Sequence, residues 1–171
     1  STYCLKLVEY LRALGKKVDI ISKTHSASSK IQGVTADHWC RRHVLNGAVT
    51  CDVLYVDEVS QLDINLLCCL GLLCYTKVKF LLSGDWFQFG PIMNNFRGET
   101  VPDGAFEASR LFERMADRNR CTLTVCHRSD VKLFDFYTSL TPGGERFATP
   151  MPELVEEARR VFKLDGIAER N

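Results

Sequence analysis

The chain has 171 residues, 46% of them hydrophobic and 25% charged, and a formal net charge of only +1. This profile excludes a disordered or fibrous chain and fits one globular domain with a sizeable core, and any nucleic-acid surface must be a local patch. The longest apolar run, Leu66 to Tyr75, is about half of what a bilayer demands, and no charged leader precedes a cleavable apolar segment, so a soluble intracellular protein without a membrane partner is expected.

Ser1 to Leu14 carries Leu7, Val8, Leu11 and Leu14 at helical spacing, and Gly15 supplies the stop. A helix that opens at the first residue lacks the strand and loop that ordinarily lead into it, so a chain truncated at its front is expected. Lys16 to Ser22 predicts a strand, followed by a polar loop over Lys23 to Lys30. After Gly33 comes a short helix capped by Thr35 or Asp37, with Trp39, Val44 and Leu45 inward and Arg41 and Arg42 outward on a solvated basic face.

Val53 to Val56 is an unbroken apolar run of the kind buried on both faces in a parallel sheet, and it stops at Asp57 and Glu58. Two carboxylates there can cap a helix after the strand; they can also hold Mg²⁺ with one member and polarise a water with the other. Leu62 to Thr76 predicts a helix apolar nearly all round, sandwiched between layers, and Val78 to Asp85 a second buried strand. Two successive strand-helix-strand crossovers imply parallel strands in a doubly wound α/β sheet. Asp57, Glu58 and Asp85 then share the carboxyl edge, where such sheets bind ligands.

The loop from Trp86 to Gly104 is long and aromatic, which points to function. A helix over about 104–118, a short strand at Thr122 to Val125, a helix from Asp130 to Leu140, a turn from Thr141 to Gly144 and a last helix opened by Pro152 complete the chain. The eight cysteines are read as reduced thiols. Cys68, Cys69 and Cys74 sit in one helix whose single face cannot offer all three to a metal, so small buried hydrophobes describe them better than zinc ligands.

In this order and spacing the motifs resemble superfamily-1 helicases of the RecD/Pif type, over about residues 1–140. Asp57-Glu58 is similar to the family's Walker B pair, and Gly84, Asp85, Gln88 and Pro91 to its Gly-Asp-x-x-Gln-x-x-Pro loop. The stretch from Ser22 to Ile31 resembles its single-strand-contacting loop, Thr35 to Trp39 the segment after that loop, and Leu123 to Asp130 the segment with an arginine finger. The loop departs from the pattern at Phe89 and Gly90, where the family has Leu-Pro, and the finger segment at His127 and Ser129.

The resemblance implies an α/β, RecA-like P-loop NTPase domain over 1–140, with a mostly parallel sheet flanked by helices, and a linker with the start of a further segment over 141–171. ATP and Mg²⁺ are the implied cofactors. Asp57 and Ser1 would hold the metal, Ser1, Thr2 and Asp85 the nucleotide, while Glu58 orients water, Gln88 senses the γ-phosphate and Arg128 serves as the finger. Single-stranded DNA, with RNA possible, would meet Lys23, Thr24, His25, His38 and Arg41 through its phosphates and Trp86 and Phe87 through its bases, with Trp39 kept as core. A P-loop reads Gly-x-x-x-x-Gly-Lys before a Ser or Thr that opens a helix, so the phosphate cradle would precede Ser1 and a second RecA-like domain would be a missing partner. The isolated chain is therefore expected to be inactive as an ATP-dependent helicase. The alternatives are a viral-type superfamily-1 RNA helicase and a nucleic-acid-binding domain with a dead ATPase.

Overall fold

The computed structural model of the chain describes residues 2–88, 90–92, 94–102, 104–124 and 129–162. Ser1, proposed for the nucleotide and metal, and Arg128, proposed as the finger, lie outside the described residues. Two compact units are present, residues 1–120 and residues 121–171.

The first unit is built on a parallel sheet. Its centre is β3 (Val53–Val56), whose residues pair with Val18, Asp19, Ile20 and Ile21 of β1 (Val18–Ser22) on one side. On the other side they pair with Lys79, Phe80, Leu81 and Leu82 of β4 (Lys79–Leu82). A two-residue strand, β2 (Val34–Thr35), extends the sheet beyond β1, giving the order β2-β1-β3-β4. Because side chains alternate along a strand, Leu54, Val56 and Ile21 enter one core while Tyr55, Ile20 and Val18 enter another. The second core is closed by Val8 of α1 (Thr2–Ala13), with Cys4, Leu5 and Leu11 around it. The first is closed by Ala36 and Trp39 of α3 (Ala36–Trp39), Leu67 and Leu70 of α4 (Ile64–Gly71), and Met115 of α5 (Arg110–Met115). Helices thus cover both faces, and the α/β class with a parallel sheet holds.

Several elements differ from the sequence-based expectation. The polar loop after β1 is a helix, α2 (His25–Lys30), because Thr24 accepts a hydrogen bond from the Ala27 N–H and caps it. Past Trp39 the chain continues as a π turn over Cys40–Val44, closed by Leu45 N–H to Cys40 C=O at 3.1 Å. That extra residue per turn swings Leu45 outward, where it is 68% exposed instead of inward. The apolar helix after β3 starts at Asp63 and tightens to a 3₁₀ turn at Leu72–Tyr75, leaving Cys68, Leu72 and Tyr75 exposed, so it is covered on one side only. Arg114 of α5 partly shields it, with its guanidinium 4.5 Å from the Tyr75 ring centre. β4 is half-buried, since among the described residues nothing pairs with its outer edge. The loop after it holds a hairpin, β5 (Asn95–Phe96) with β6 (Glu99–Thr100), and α5 is shorter than expected. Thr122 to Thr124 form no strand; Val125 lies outside the described residues.

Seven cysteines are free among the described residues. Burial lifts the Cys40 thiol above its ordinary value, with Cys69 adding to the rise, and burial with the Asp19 charge pushes Cys51 up to about 11. Both behave as small apolar side chains, whereas Cys68 is exposed. In the second unit α6 (Val131–Thr138), capped by Asp130, is joined to α7 (Met151–Phe162) through Phe136 and Phe162, whose rings lie 5.3 Å apart, and through Arg146 to Glu157 at 2.8 Å.

The close approach of β2 to β1 depends on Gly33, where an added Cβ would sit 2.6 Å from the Ile20 carbonyl oxygen. Gly33→Ala is predicted to destabilise the protein by about 1–3 kcal/mol through overpacking against backbone. A thermal melt checks this, and an unchanged midpoint would contradict the docking of β2.

Candidate functional site

Parallel pairing places the carboxyl ends of β1, β3 and β4 on one rim. β3 ends in Asp57, only 5% exposed, and Glu58, half-buried, with the backbone of Glu58 in the left-handed region (φ 53°, ψ 44°). A non-glycine residue there costs roughly 1–2 kcal/mol, and such strain tends to persist at sites that work. The conformation breaks the strand and starts the 3₁₀ turn Val59–Gln61.

That turn is fused to the loop after β4. Val59 N–H donates to Ser83 C=O and Ser83 N–H to Val56 C=O, each at 2.9 Å, and Asp85 N–H reaches Ser60 Oγ at 3.3 Å. Gly84 permits the approach, since a Cβ on it would lie 3.0 Å from Val59 Cγ1 and 3.1 Å from Ser60 N. Asp85 folds its own loop, accepting from Phe87 N–H at 3.0 Å and from Gln88 Nε2 at 3.3 Å. Gln88 Oε1 in turn accepts from Gln61 Nε2 at 3.5 Å. Glu58 and Gln88, assigned to separate motifs in the sequence, therefore stand on two loops that the backbone ties together.

Beneath the rim lies a polar group that sequence reasoning did not single out. Tyr55 Oη donates to Asp57 Oδ1 at 2.9 Å, Ser83 Oγ donates to the same oxygen at 2.6 Å, and the two hydroxyls are 3.0 Å apart. Burial pushes the Tyr55 phenol well above its ordinary value, against the lowering effect of the Ser83 hydroxyl, and the Asp57 charge adds to the rise. Tyr55 is thus a fixed proton donor, and hydrogen bonds to a carboxylate contribute about 1.5–3 kcal/mol each. Ser22, the last residue of β1, is fully buried, and its Oγ has no hydrogen-bond partner among the described residues. The available signal was a serine at the end of β1, another directly after β4, and a tyrosine two residues before Asp57, hence on the same face.

The candidate nucleic-acid residues lie on several elements. Thr24 caps α2, His25 opens it and is exposed, and His38 lies exposed on α3 directly after β2. Arg41 pairs with Asp37 at 3.0 Å on the surface. Phe87 is 67% exposed, whereas Trp86 is half-buried in an aromatic cluster, edge-on to Phe112 at 5.3 Å and near Phe106. Trp39 is core, its indole N–H donating to Asp19 at 2.9 Å. Lys23 Nζ is bound to Asp63 at 2.5 Å.

The Asp57 carboxylate is a hard oxygen donor, and the orphaned Ser22 hydroxyl in the neighbouring strand could meet a metal-bound water, which suits Mg²⁺ better than a softer metal. Neither a protein-family model nor a curated protein matches the sequence.

The Lys23–Asp63 pair has a pH signature. Burial raises the Asp63 carboxyl, but hydrogen bonds from Lys23 and the Leu66 N–H together with the Lys23 charge outweigh it, so the net shift is downward. A carboxyl held lower in the folded state stabilises fully above its unfolded value, about 4, and loses that contribution as pH falls through the folded value. Thermal melts of wild type and Lys23→Met between pH 6 and 2 should show a gap that closes below about pH 4; a constant gap would mean that the pair contributes no such linkage.

Proposed function

We propose that the chain is a RecA-like motor domain of a superfamily-1 helicase of the RecD/Pif type, which hydrolyses ATP to move along single-stranded DNA and unwind duplex. The observation that carries this reading is the fused pair of loops on one rim, with an Asp-Glu pair after β3 and a Gly-Asp-x-x-Gln loop after β4. The ordered resemblance of the motifs supports it.

Asp57 would hold Mg²⁺, and its carboxylate is a donor of the right hardness. Mg²⁺, when bound, offsets the charge on the phosphates. Glu58 would orient the attacking water and accept its proton. Gln88, an amide able to donate and accept, would register the terminal phosphate, and its links to Asp85 and Gln61 tie it to the turn that carries Glu58. Ser1, Thr2 and Arg128 keep the roles that the resemblance assigns. His25 and His38 would meet phosphates and Phe87 a base, each stack being worth roughly 1–3 kcal/mol. Lys23 would have to leave Asp63 to take part, and Trp86 serves the aromatic cluster before any base.

The test is Glu58→Gln in the protein expressed from its complete gene. Nucleotide binding should persist while strand-stimulated turnover falls by about 10²-fold or more, the usual scale of a lost general base. Turnover at the wild-type rate would remove Glu58 from the chemistry. Stimulation by RNA alone would move the reading to an RNA helicase, and a wild type that binds no nucleotide would favour a nucleic-acid-binding domain without a motor.

A further inference from the structure

A row of oxygens crosses three strands at the rim. Continuing the β1–β3 register by one residue sets Ser22 beside Asp57, and continuing the β3–β4 register sets Asp57 beside Ser83. Backbone bonds hold both steps, from Asp57 N–H to Ile21 C=O and from Ser83 N–H to Val56 C=O, each 2.9 Å. Ser22 lies two residues past Ile20 and Asp57 two past Tyr55, so both are on the face that Ile20 and Tyr55 share.

Within this row the hydrogen bonds are asymmetric. Asp57 Oδ1 collects two donors, Tyr55 Oη and Ser83 Oγ. Ser22 Oγ, equally buried, collects none among the described residues. A plain explanation covers the first fact: a buried tyrosine needs an acceptor, and Asp57 is one. It leaves the second untouched, because alanine would fill the place of Ser22 without an orphaned hydroxyl. Buried hydroxyls without a protein partner are tolerated where water or an ion completes them.

We propose that Tyr55 and Ser83 are positioning residues that hold the Asp57 carboxylate for a hydrated divalent cation, and that Ser22 Oγ is the partner of a water in that cation's shell. The inference rests on the motor reading and names how its metal site is supported. Mg²⁺ gives up its waters reluctantly and takes few carboxylates directly, so a site for it needs acceptors for water as well as one charge. Two donors on one oxygen of Asp57 fix its rotamer. Supporting contacts of this kind typically change metal affinity 10–100-fold when removed.

The experiment uses Mn²⁺ with ATP as the probe, read by electron paramagnetic resonance on the protein expressed from its complete gene, with Ser22→Ala, Tyr55→Phe and Ser83→Ala. Each variant should bind Mn²⁺ in the presence of ATP about tenfold or more weakly, with metal-free ATP affinity unchanged, and Ser83→Thr should restore binding. Ser22→Ala should in addition melt no lower than wild type without metal, because it removes an unpartnered hydroxyl; a purely structural serine would melt lower. If Tyr55→Phe fails to fold, the two serine variants decide the matter. Wild-type Mn²⁺ affinity in the serine variants overturns the proposal and leaves the motor reading standing. A wild type that binds no Mn²⁺ with ATP overturns the motor reading and this inference with it.

Discussion

The arrangement depends on β3 being bonded along its whole length to a parallel neighbour on each side. With both edges filled and both faces buried, the strand cannot slip by one residue without moving Leu54 and Val56 out of one core and Tyr55 out of the other. The register fixes which residue ends each strand, and so it fixes Ser22, Asp57 and Ser83 as a row. A slip would also set the carboxylate against the wrong core, where an unpaired charge costs far more than any side-chain contact on the rim returns.

The turn that leaves β3 is held with equal firmness by a different means. Glu58 sits in a backbone conformation that an L-residue adopts at a cost, and the surroundings keep it there: the Val59 N–H is bound to Ser83, Ser60 Oγ accepts from Asp85, and Gly84 leaves no gap between the two loops. A loop of this kind does not relax independently of its neighbour. The consequence for any chemistry at the rim is geometric, because the same hydrogen bonds place the Gln88 loop against the turn that carries Glu58.

The sheet was legible in the sequence because its signals are strong and local. Val53 to Val56 is too apolar to lie anywhere but between two layers, and the two carboxylates after it mark its end. The short strand Val34–Thr35 was not legible, since two residues carry no periodicity and its place depends on the close approach at Gly33. The helix α2 was hidden by composition, since Ser and His favour turns until a threonine cap and a packed Ile31 decide the matter. The helix after β3 was over-read, because apolar residues predict burial only where there is a layer to bury them, and Leu72 and Tyr75 lack one. On the rim, Asp57, Glu58 and Gln88 announce themselves by type. Tyr55, Ser22 and Ser83 become visible only once the register puts them side by side.

A contiguous run of contacts also joins the turn of Glu58 to the start of α2. From Glu58 the chain passes through Gln61, which touches Gln88, to Asp63, which caps α4 by accepting from the Leu66 N–H and holds Lys23 across the rim. Lys23 directly precedes Thr24, the cap of α2. Spatial continuity alone is not coupling; coupling requires an element with two discrete arrangements that both ends can bias. The Lys23–Asp63 pair is made in this structure, and both partners sit at helix starts. In the proposed motor a phosphate of the single strand would compete with Asp63 for the Lys23 ammonium, and a carboxylate released from Lys23 would remain satisfied by the α4 cap. The exchange would therefore cost little at the helix while changing the charge beside the turn that bears Glu58 and Gln61.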